Sequence, residues 1–229
     1  MRQRSPGSGA DRTVYRSIVL TFRTAMRAKA SDGGRTFTDL ARRAQIAQYA
    51  AEAITEVGYA DASMAEIARR AGVAKSVVSY HFSDKEGLMR EVLRTALATY
   101  AKFMEPRMAR ATSAFDKLRA YLTGTADYVA EHRSLHVAVI EIALNATSAD
   151  GRPLVATMPL QAPEPSVEDI LHQGQRDGEL RDFDVGVVAG VMRSAITHAM
   201  VMRQREDPGT DLGAYGEEIM RLFDLGIRR

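Results

Sequence analysis

Residues Ser63 to Lys85 read SMAEIARRAGVAKSVVSYHFSDK, and this stretch predicts two short helices joined by a tight turn. Ser63 and Glu66 have the spacing of a capping box, in which a hydroxyl and a carboxylate each satisfy a free backbone N–H. Gly72 can end the first helix, because glycine enters the left-handed conformation without steric cost. The second helix should run from about Ala74 to Phe82. This pattern predicts a helix-turn-helix, whose second helix lies in the major groove of DNA.

The second helix has one apolar side, which should face the core of the domain. Val78 and Phe82 form that side, and Val77 is partly shared with the surface. Ser83 and Glu86 have the spacing of a second capping box, which predicts the start of a further helix over about 84–104, closed by Pro106.

The segment IARRAGVAKSVVSYHFSDKEGL resembles the signature of tetracycline-repressor-type (TetR-like) transcriptional regulators, and the resemblance extends over about Ala41 to Leu97. Two positions depart from the family pattern. Ala74 stands where a small polar residue is usual, and Ser79 stands where an aromatic residue is often found. The positions that match are Ala71, Gly72, Val73, Lys75, Tyr80, His81, Phe82 and Lys85.

The resemblance assigns contacts with DNA to several of these side chains and to the N-terminus of the helix that Ser63 opens. Short polar residues on the same helix suit contacts with groove edges and phosphates. Arg43 lies early in the preceding helix, where its charge opposes the helix dipole, so a phosphate contact is an alternative to simple solvation. The predicted DNA-binding residues are Arg43, Ser63, Lys75, Ser76, Ser79, Tyr80, His81 and Lys85.

The uneven distribution of charge along the chain is that expected of a protein that contacts DNA through its N-terminal part. Residues 1–100 carry 16 Lys and Arg against 10 Asp and Glu, a net charge of +6, whereas residues 101–229 carry 15 against 19, a net charge of −4. The chain has no cysteine, which excludes disulfides and thiolate metal sites. It has no apolar run of roughly 20 residues and no signal-peptide pattern. We therefore expect a cytoplasmic protein.

The chain divides into three parts by sequence. Residues 1–36 are basic and rich in Gly and Ser, and we interpret them as a flexible leader, with an over-long gene start before Met26 as one explanation; the alternative is a basic arm that reaches DNA. Residues 37–83 should form the helix-turn-helix domain, in which Gly58 ends the first helix. Residues 84–229 should form a helical regulatory and dimerisation domain.

Helical periodicity continues to the end of the chain, with no strand pattern, so the fold class is all-α. Prolines mark 148–165 as a loop. Tyrosines on one helical face, and polar residues in an otherwise apolar helix, suit a small apolar or amphipathic ligand, although they equally suit a core and a surface. The candidate ligand-binding residues are Tyr121, Tyr128, His136, Glu141, Asn145 and Met192, and the methionines Met200 and Met202 suit an adaptable pocket.

The last two helices carry apolar stripes that resemble the dimer interface of the family, in which two helices from each subunit form a four-helix bundle. The resemblance implies a homodimeric repressor that binds a palindromic operator and is released by a small molecule. One alternative is a helix-turn-helix regulator without a ligand. Another is a helical enzyme with a degenerate motif, although the sequence shows no catalytic constellation. We expect no cofactor and no metal, because His132 and His136 lack an evident third ligand.

Overall fold

Nine α-helices make up most of the chain that the structure, a computed structural model, describes. The described residues are 37–158, 165–207 and 209–229, without the side chains at 37 and 197–206. The leader, the prolines at 159 and 163, and the Met200 and Met202 side chains thus lie outside the described residues. The helices are α1 (Phe37–Asp61), α2 (Met64–Arg70), α3 (Lys75–His81), α4 (Lys85–Arg110), α5 (Ala114–Glu131), α6 (Arg133–Asn145), α7 (Val167–Arg176), α8 (Val185–Glu206) and α9 (Leu212–Ile227).

The fold class is confirmed, because the described residues contain helices, one 3-10 turn at Leu154–Thr157 and two isolated β-bridges, but no strand. The chain forms two compact units. Unit 1 contains the residues up to Thr95 together with Val137–Ala162, and unit 2 contains Ala96–His136 and Pro163–Arg229. The expected boundaries at 37–83 and 84–229 stay a prediction.

Unit 1 is built on the close packing of α1 against α2 and α3. Small side chains line the buried face of α1, where Ala47, Ala50 and Ala53 are fully buried. Small residues let helix axes approach closely, and larger apolar residues then fill the remaining space. The largest fully buried side chains of this unit include Ile46, Ile54, Ile67, Leu88, Met89 and Leu93.

The two glycines expected to interrupt helices do so. Gly58 has φ 82° and ψ 164°, which breaks the helical geometry of α1 before its last residues. Gly72 has φ 64° and forms the turn after α2, where Val73 N–H donates to the Ala68 carbonyl. Both values lie in the left-handed or extended positive-φ regions that favour glycine.

The helix caps differ from expectation in two places. Ser63 Oγ accepts from Glu66 N–H at 3.2 Å, but the Glu66 carboxylate binds Arg69 and Arg70 and the Ser63 N–H donates to Asp61, so the capping box is only half formed. The prediction of a second capping box at Ser83 and Glu86 is wrong. Asp84 caps α4 instead by accepting from Gly87 N–H at 2.7 Å.

Pro106 does not close α4, which continues to Arg110. A proline inside a helix removes one N–H donor and frees the carbonyl four residues earlier. That carbonyl belongs to Lys102, which is exposed, so water can satisfy it and the helix can continue.

Unit 2 is centred on α5, which packs against α7, α8 and α9. Gly216 of α9 allows a close approach to α5, since a Cβ there would lie 3.0 Å from the Ala126 Cβ. The buried core of the unit includes Leu118, Leu122, Ala126, Val129, Ile170, Leu171, Ala189, Met192, Ile196 and Met220.

Candidate nucleic-acid interface

Helix α3 has one buried side and a broad exposed one. Val78 is fully buried and Phe82, directly after the helix, is 2% exposed, as expected from the sequence. Lys75, Ser76 and Ser79 are exposed. The helix therefore presents a cation and two hydroxyls to solvent, while Val78 and Phe82 hold its opposite side against the core.

Tyr80 extends this exposed face with an aromatic ring. Its side chain is 84% exposed, and its ring contacts His81 edge-on with centroids 5.2 Å apart. Intramolecular packing gives no reason for an aromatic residue there. A phenol in this position can contact a sugar, a base edge or a phosphate with both its ring and its hydroxyl.

His81 is turned away from this face. Its side chain is only 11% exposed, and Nδ1 lies 2.8 Å from Asp39 Oδ1 on α1. The imidazole thus joins the end of α3 to α1.

Arg43 is also directed inward, with 12% of its side chain exposed. Its Nη1 donates to the His81 carbonyl oxygen, its Nη2 lies 3.3 Å from Glu91 Oε2, and its Cζ lies 4.1 Å above the Phe82 ring. The guanidinium is engaged on three sides within unit 1.

Lys85 binds the end of α1. Its Nζ donates to the carbonyls of Tyr59 at 2.6 Å and Ala60 at 3.3 Å, and lies 4.3 Å from the centre of the Tyr59 ring. Burial lowers the pKa of this ammonium. The side chain satisfies two carbonyls at the C-terminal end of α1, where the helix offers no further N–H donors.

The structure therefore brings together four of the eight predicted DNA-binding residues on one exposed surface, which we call the α3 face: Lys75, Ser76, Ser79 and Tyr80. Ser63 is exposed but acts as the cap of α2. Arg43, His81 and Lys85 are occupied by contacts inside the domain, so they are not part of the α3 face.

Sequence reasoning missed Glu91, which is 6% exposed and lies between Arg43 and Arg94. The sequence around Glu91 contains a feature that could have identified it. Its neighbours in α4, Met89, Val92 and Leu93, are apolar and fully buried, so a carboxylate among them needs a charged partner.

The six candidate ligand residues fall into both units. Glu141 and Asn145 belong to unit 1, where the exposed Asn145 donates from Nδ2 to the Glu141 carbonyl at 2.9 Å and carboxylate at 3.2 Å. The other four belong to unit 2: Tyr128, His136 and Met192 are buried, and Tyr121 is part-buried.

Hydroxyl groups meet inside unit 2. Tyr100 Oη lies 2.8 Å from Thr125 Oγ1, which donates to the Tyr121 carbonyl, and Tyr128 Oη donates to the Ala96 carbonyl at 3.1 Å. The rings of Tyr100 and Tyr128 meet edge to face at 5.0 Å. Burial raises the pKa of Tyr100 to about 12 and raises the pKa of Tyr121 further. These phenols stay neutral donors at physiological pH.

Unit 2 also contains a buried ion pair that sequence reasoning missed. Arg193 is 7% exposed and its Nη1 lies 2.7 Å from Glu168 Oε1. The Nε of Arg193 is buried and has no hydrogen-bond partner among the described residues. An arginine within the apolar run VGVVAGVMRSAI was the available signal.

Residues 46–92 match the family model described as bacterial regulatory proteins, tetR family. The match covers the helix-turn-helix region, with α2, the turn at Gly72 and α3. The HTH-type transcriptional regulator BetI of Pseudomonas paraeruginosa is 41% identical over 81 residues, which are 35% of this chain and 40% of that protein. The match thus covers about two fifths of the length of this relative.

Solved structures of similar fold extend over both units. FadR from Bacillus subtilis, in complex with stearoyl-CoA, has a TM-score of 0.66 at 22% identity and covers 78% of this chain and 95% of its own. The ketosteroid regulator KstR2 of Mycobacterium tuberculosis has a TM-score of 0.64 at 20% identity and covers 90% of this chain and all of its own. At these identities the likeness shows the fold. Within the described part of the chain, no helix has the length and apolar character needed to cross a bilayer.

Proposed function

We propose that this protein is a sequence-specific, DNA-binding transcriptional regulator that inserts α3 into the major groove. The observation that carries the proposal is the α3 face: a cation, two hydroxyls and an 84% exposed tyrosine on a helix of tetR-type sequence. Such groups suit phosphates and base edges. A regulator of this kind acts in the cytoplasm, where it meets DNA.

Selection of bound sequences from random DNA tests this proposal. The purified protein should enrich one motif and protect it from cleavage. Lys75→Ala should lower the slope of log affinity against log salt by about 0.9, because one phosphate contact is lost. The control Lys102→Ala removes an exposed lysine of unit 2 and should leave that slope unchanged. Enrichment of no motif would refute the proposal.

Lys85→Ala separates the two interpretations of that residue. Since its ammonium binds the Tyr59 and Ala60 carbonyls, we expect lower stability with an unchanged salt slope. If the slope of log affinity against log salt fell by about 0.9, the result would instead support the phosphate contact that the family resemblance implies.

We further propose that the protein is a homodimer formed through α8 and α9. The observation that supports this is an apolar surface on the two helices, where Val187 is 61%, Val191 54%, Leu222 60% and Leu225 88% exposed. Water-exposed apolar patches of this kind mark interaction sites. A second copy of the chain is the occupant that gives a two-fold axis, and that axis matches a palindromic operator.

Leu225→Glu tests the interface by placing a charge on its most exposed apolar side chain. Sedimentation should show a dimer for the wild type and a monomer, or a dissociation constant raised by about 100-fold, for the variant. Arg176→Glu, at an exposed position of α7, is the control for the introduced charge. A dimer that withstands Leu225→Glu would place the interface elsewhere.

A repressor of this class needs a signal, and we propose that a small apolar or amphipathic molecule binds unit 2 and weakens operator binding. The interior of unit 2 combines apolar side chains with neutral phenols and the Arg193 guanidinium, which suit a chain with one polar group. The stearoyl-CoA bound to FadR shows that a protein of this fold accepts such a molecule. Stearoyl-CoA is therefore a reasonable first probe.

The test measures operator affinity with and without each probe, and probe affinity with and without operator. Linkage requires the two factors to be equal. Arg193→Gln should reduce probe affinity, whereas Arg176→Gln, an exposed change on α7, should not. Operator affinity that no long-chain acyl probe changes would favour a regulator without such a ligand.

A further inference from the structure

The C-terminal end of α3 is held by a charged cluster in unit 1 that consists of Asp39, Arg43, His81, Glu91 and Arg94. The proposed role of α3 in DNA recognition, on which any role of this cluster depends, requires the short helix to keep a fixed direction. The local interactions of α3 stabilise it only weakly, because it has seven residues, no side-chain cap at Ala74 and one buried side chain. The cluster supplies the support that the helix lacks.

Arg43 is the centre of the cluster. Its Nη1 donates to the carbonyl of His81, the last residue of α3, and its guanidinium stacks over Phe82, the next residue in the chain. A planar group with several fixed donors can hold a carbonyl and a carboxylate at once, which a lysine ammonium does less well. Arg43 therefore fixes both the backbone end of α3 and its aromatic anchor.

Glu91 holds Arg43 in that position. Its Oε2 lies 3.3 Å from Arg43 Nη2, and its Oε1 accepts from Arg94. The carboxylate is 6% exposed, so it has lost most of its hydration. A buried pair of this kind gives little net stability, but removal of one partner leaves a buried charge without compensation. The arrangement is thus suited to orientation rather than to stability.

We propose that Arg43 and Glu91 are positioning residues for DNA recognition: the pair links α4 to the end of α3 and sets the direction of the α3 face. Neither residue touches DNA. Glu91 on α4 orients Arg43 on α1, and Arg43 orients the His81 carbonyl and the Phe82 ring.

A positioning role of Glu91 and a purely electrostatic role predict opposite changes in operator affinity. Glu91→Gln removes a negative charge from the DNA-binding unit, and added positive charge by itself strengthens binding to any DNA. If Glu91 positions α3, the same change weakens operator binding while non-specific binding stays equal or rises. The ratio of specific to non-specific affinity should therefore fall by about tenfold or more, as expected when a buried pair is broken.

The experiment compares operator and random-sequence affinity for the wild type, Glu91→Gln and the control Glu86→Gln. Glu86 lies on the same helix, is 33% exposed and pairs with Arg90 four residues on, so its charge is matched but its pair is superficial. Glu86→Gln should leave the ratio unchanged or raise both affinities. Equal or improved operator affinity in Glu91→Gln would overturn the proposal.

A second variant keeps the charge and guards against misfolding. Arg43→Lys should lower operator affinity with an unchanged salt slope, because the cation remains but cannot bridge the His81 carbonyl and Glu91 together. A phosphate contact predicts the reverse, namely a Lys variant that retains affinity. That result would also overturn the proposal.

Hydrogen exchange gives a readout that does not need DNA. The Phe82 amide donates to the Val78 carbonyl at 2.9 Å and reports opening of the end of α3. Glu91→Gln should speed its exchange by about tenfold or more while amides around Ile54 in α1 stay protected. Absence of sequence preference in the wild type would refute the DNA-binding proposal alone, whereas unchanged Phe82 exchange would refute the positioning role alone.

Discussion

The two helices of the helix-turn-helix have equal length but are stabilised in different ways. Helix α2 is capped by Ser63 and carries its own ion pairs from Glu66 to Arg69 and Arg70, and it buries two residues. Helix α3 has no side-chain cap, buries Val78 alone and keeps its other side chains outward or at its end.

The difference reflects the use of each surface. Ion pairs along α3 would neutralise or cover the side chains that we propose contact DNA. The support of α3 comes instead from its end and from its buried side, through Arg43, Asp39 and Phe82. Support of this kind is tertiary, and it is therefore sensitive to changes in α1 and α4. A change in the position of α1 or α4 can therefore change the direction of α3.

Phe82→Ala should break the support of α3 most severely. Phe82 is 2% exposed beneath the Arg43 guanidinium, and loss of a buried phenylalanine costs about 3–5 kcal/mol of unfolding free energy. Urea denaturation measures the cost. Val77→Ala, on the same helix but 36% exposed, should cost much less and is the control. Equal costs for the two variants would mean that Phe82 is not the anchor of the helix.

Ser63→Ala should remove the local support of α2. The hydroxyl accepts from the Glu66 N–H, and loss of such a cap costs about 1 kcal/mol. Ser76→Ala removes an exposed hydroxyl from α3, where it caps nothing, and should leave the denaturation midpoint nearly unchanged. If Ser76→Ala destabilised the protein as much as Ser63→Ala, the contrast between the helices would not hold.

Ala74→Ser should give α3 the cap that it lacks. Ala74 has φ −67° and ψ 147°, the extended geometry of an N-cap, so a serine there can accept from a free amide and add about 0.5–1 kcal/mol. Slower exchange of the α3 amides would report it. Ala65→Ser, inside α2, should instead cost a few tenths of a kcal/mol. Faster α3 exchange in Ala74→Ser would contradict the expectation.

Acid should weaken α2 by a small amount. Hydrogen bonds from Arg69 and then Arg70 lower the pKa of Glu66 from 4.5 to about 2. Because the folded pKa lies below the unfolded one, the contribution is fully present above about pH 4.5 and is lost as the pH falls towards 2. The difference in denaturation midpoint between wild type and Glu66→Gln should shrink over that range. If the difference in midpoint stayed constant over this pH range, the ion pairs of Glu66 would not contribute to stability.

The sequence predicted the fold and the α3 face because both depend on local patterns. Apolar spacing gave the buried side of α3, Gly72 gave the turn, and the family resemblance gave the role. The prediction that Pro106 ends the helix was wrong, because the sequence alone does not show that Lys102, whose carbonyl the proline frees, lies at an exposed position.

Residues whose role depends on a neighbouring helix could not be assigned in this way. Arg43, His81 and Lys85 carry the residue types expected at phosphates, yet each is bound to a partner between 26 and 48 positions away in the chain. Periodicity tells which side of a helix is apolar, but not which helix lies against it. For the same reason, the candidate ligand-binding residues were grouped by their positions on predicted helices, but the structure places them in two different units.

The neutral phenols of unit 2 give the protein an optical reporter of its own. The chain has eight tyrosines and no tryptophan, so its near-ultraviolet absorbance comes almost entirely from phenol groups. Because burial raises the pKa of Tyr100 to about 12, its phenolate absorbance cannot develop at the pH where a model phenol, of pKa 10, ionises. Tyr121 and Tyr128, whose pKa values burial also raises, behave alike. Phenolate absorbance from these three rings near pH 10 therefore records the opening of unit 2 without any attached label.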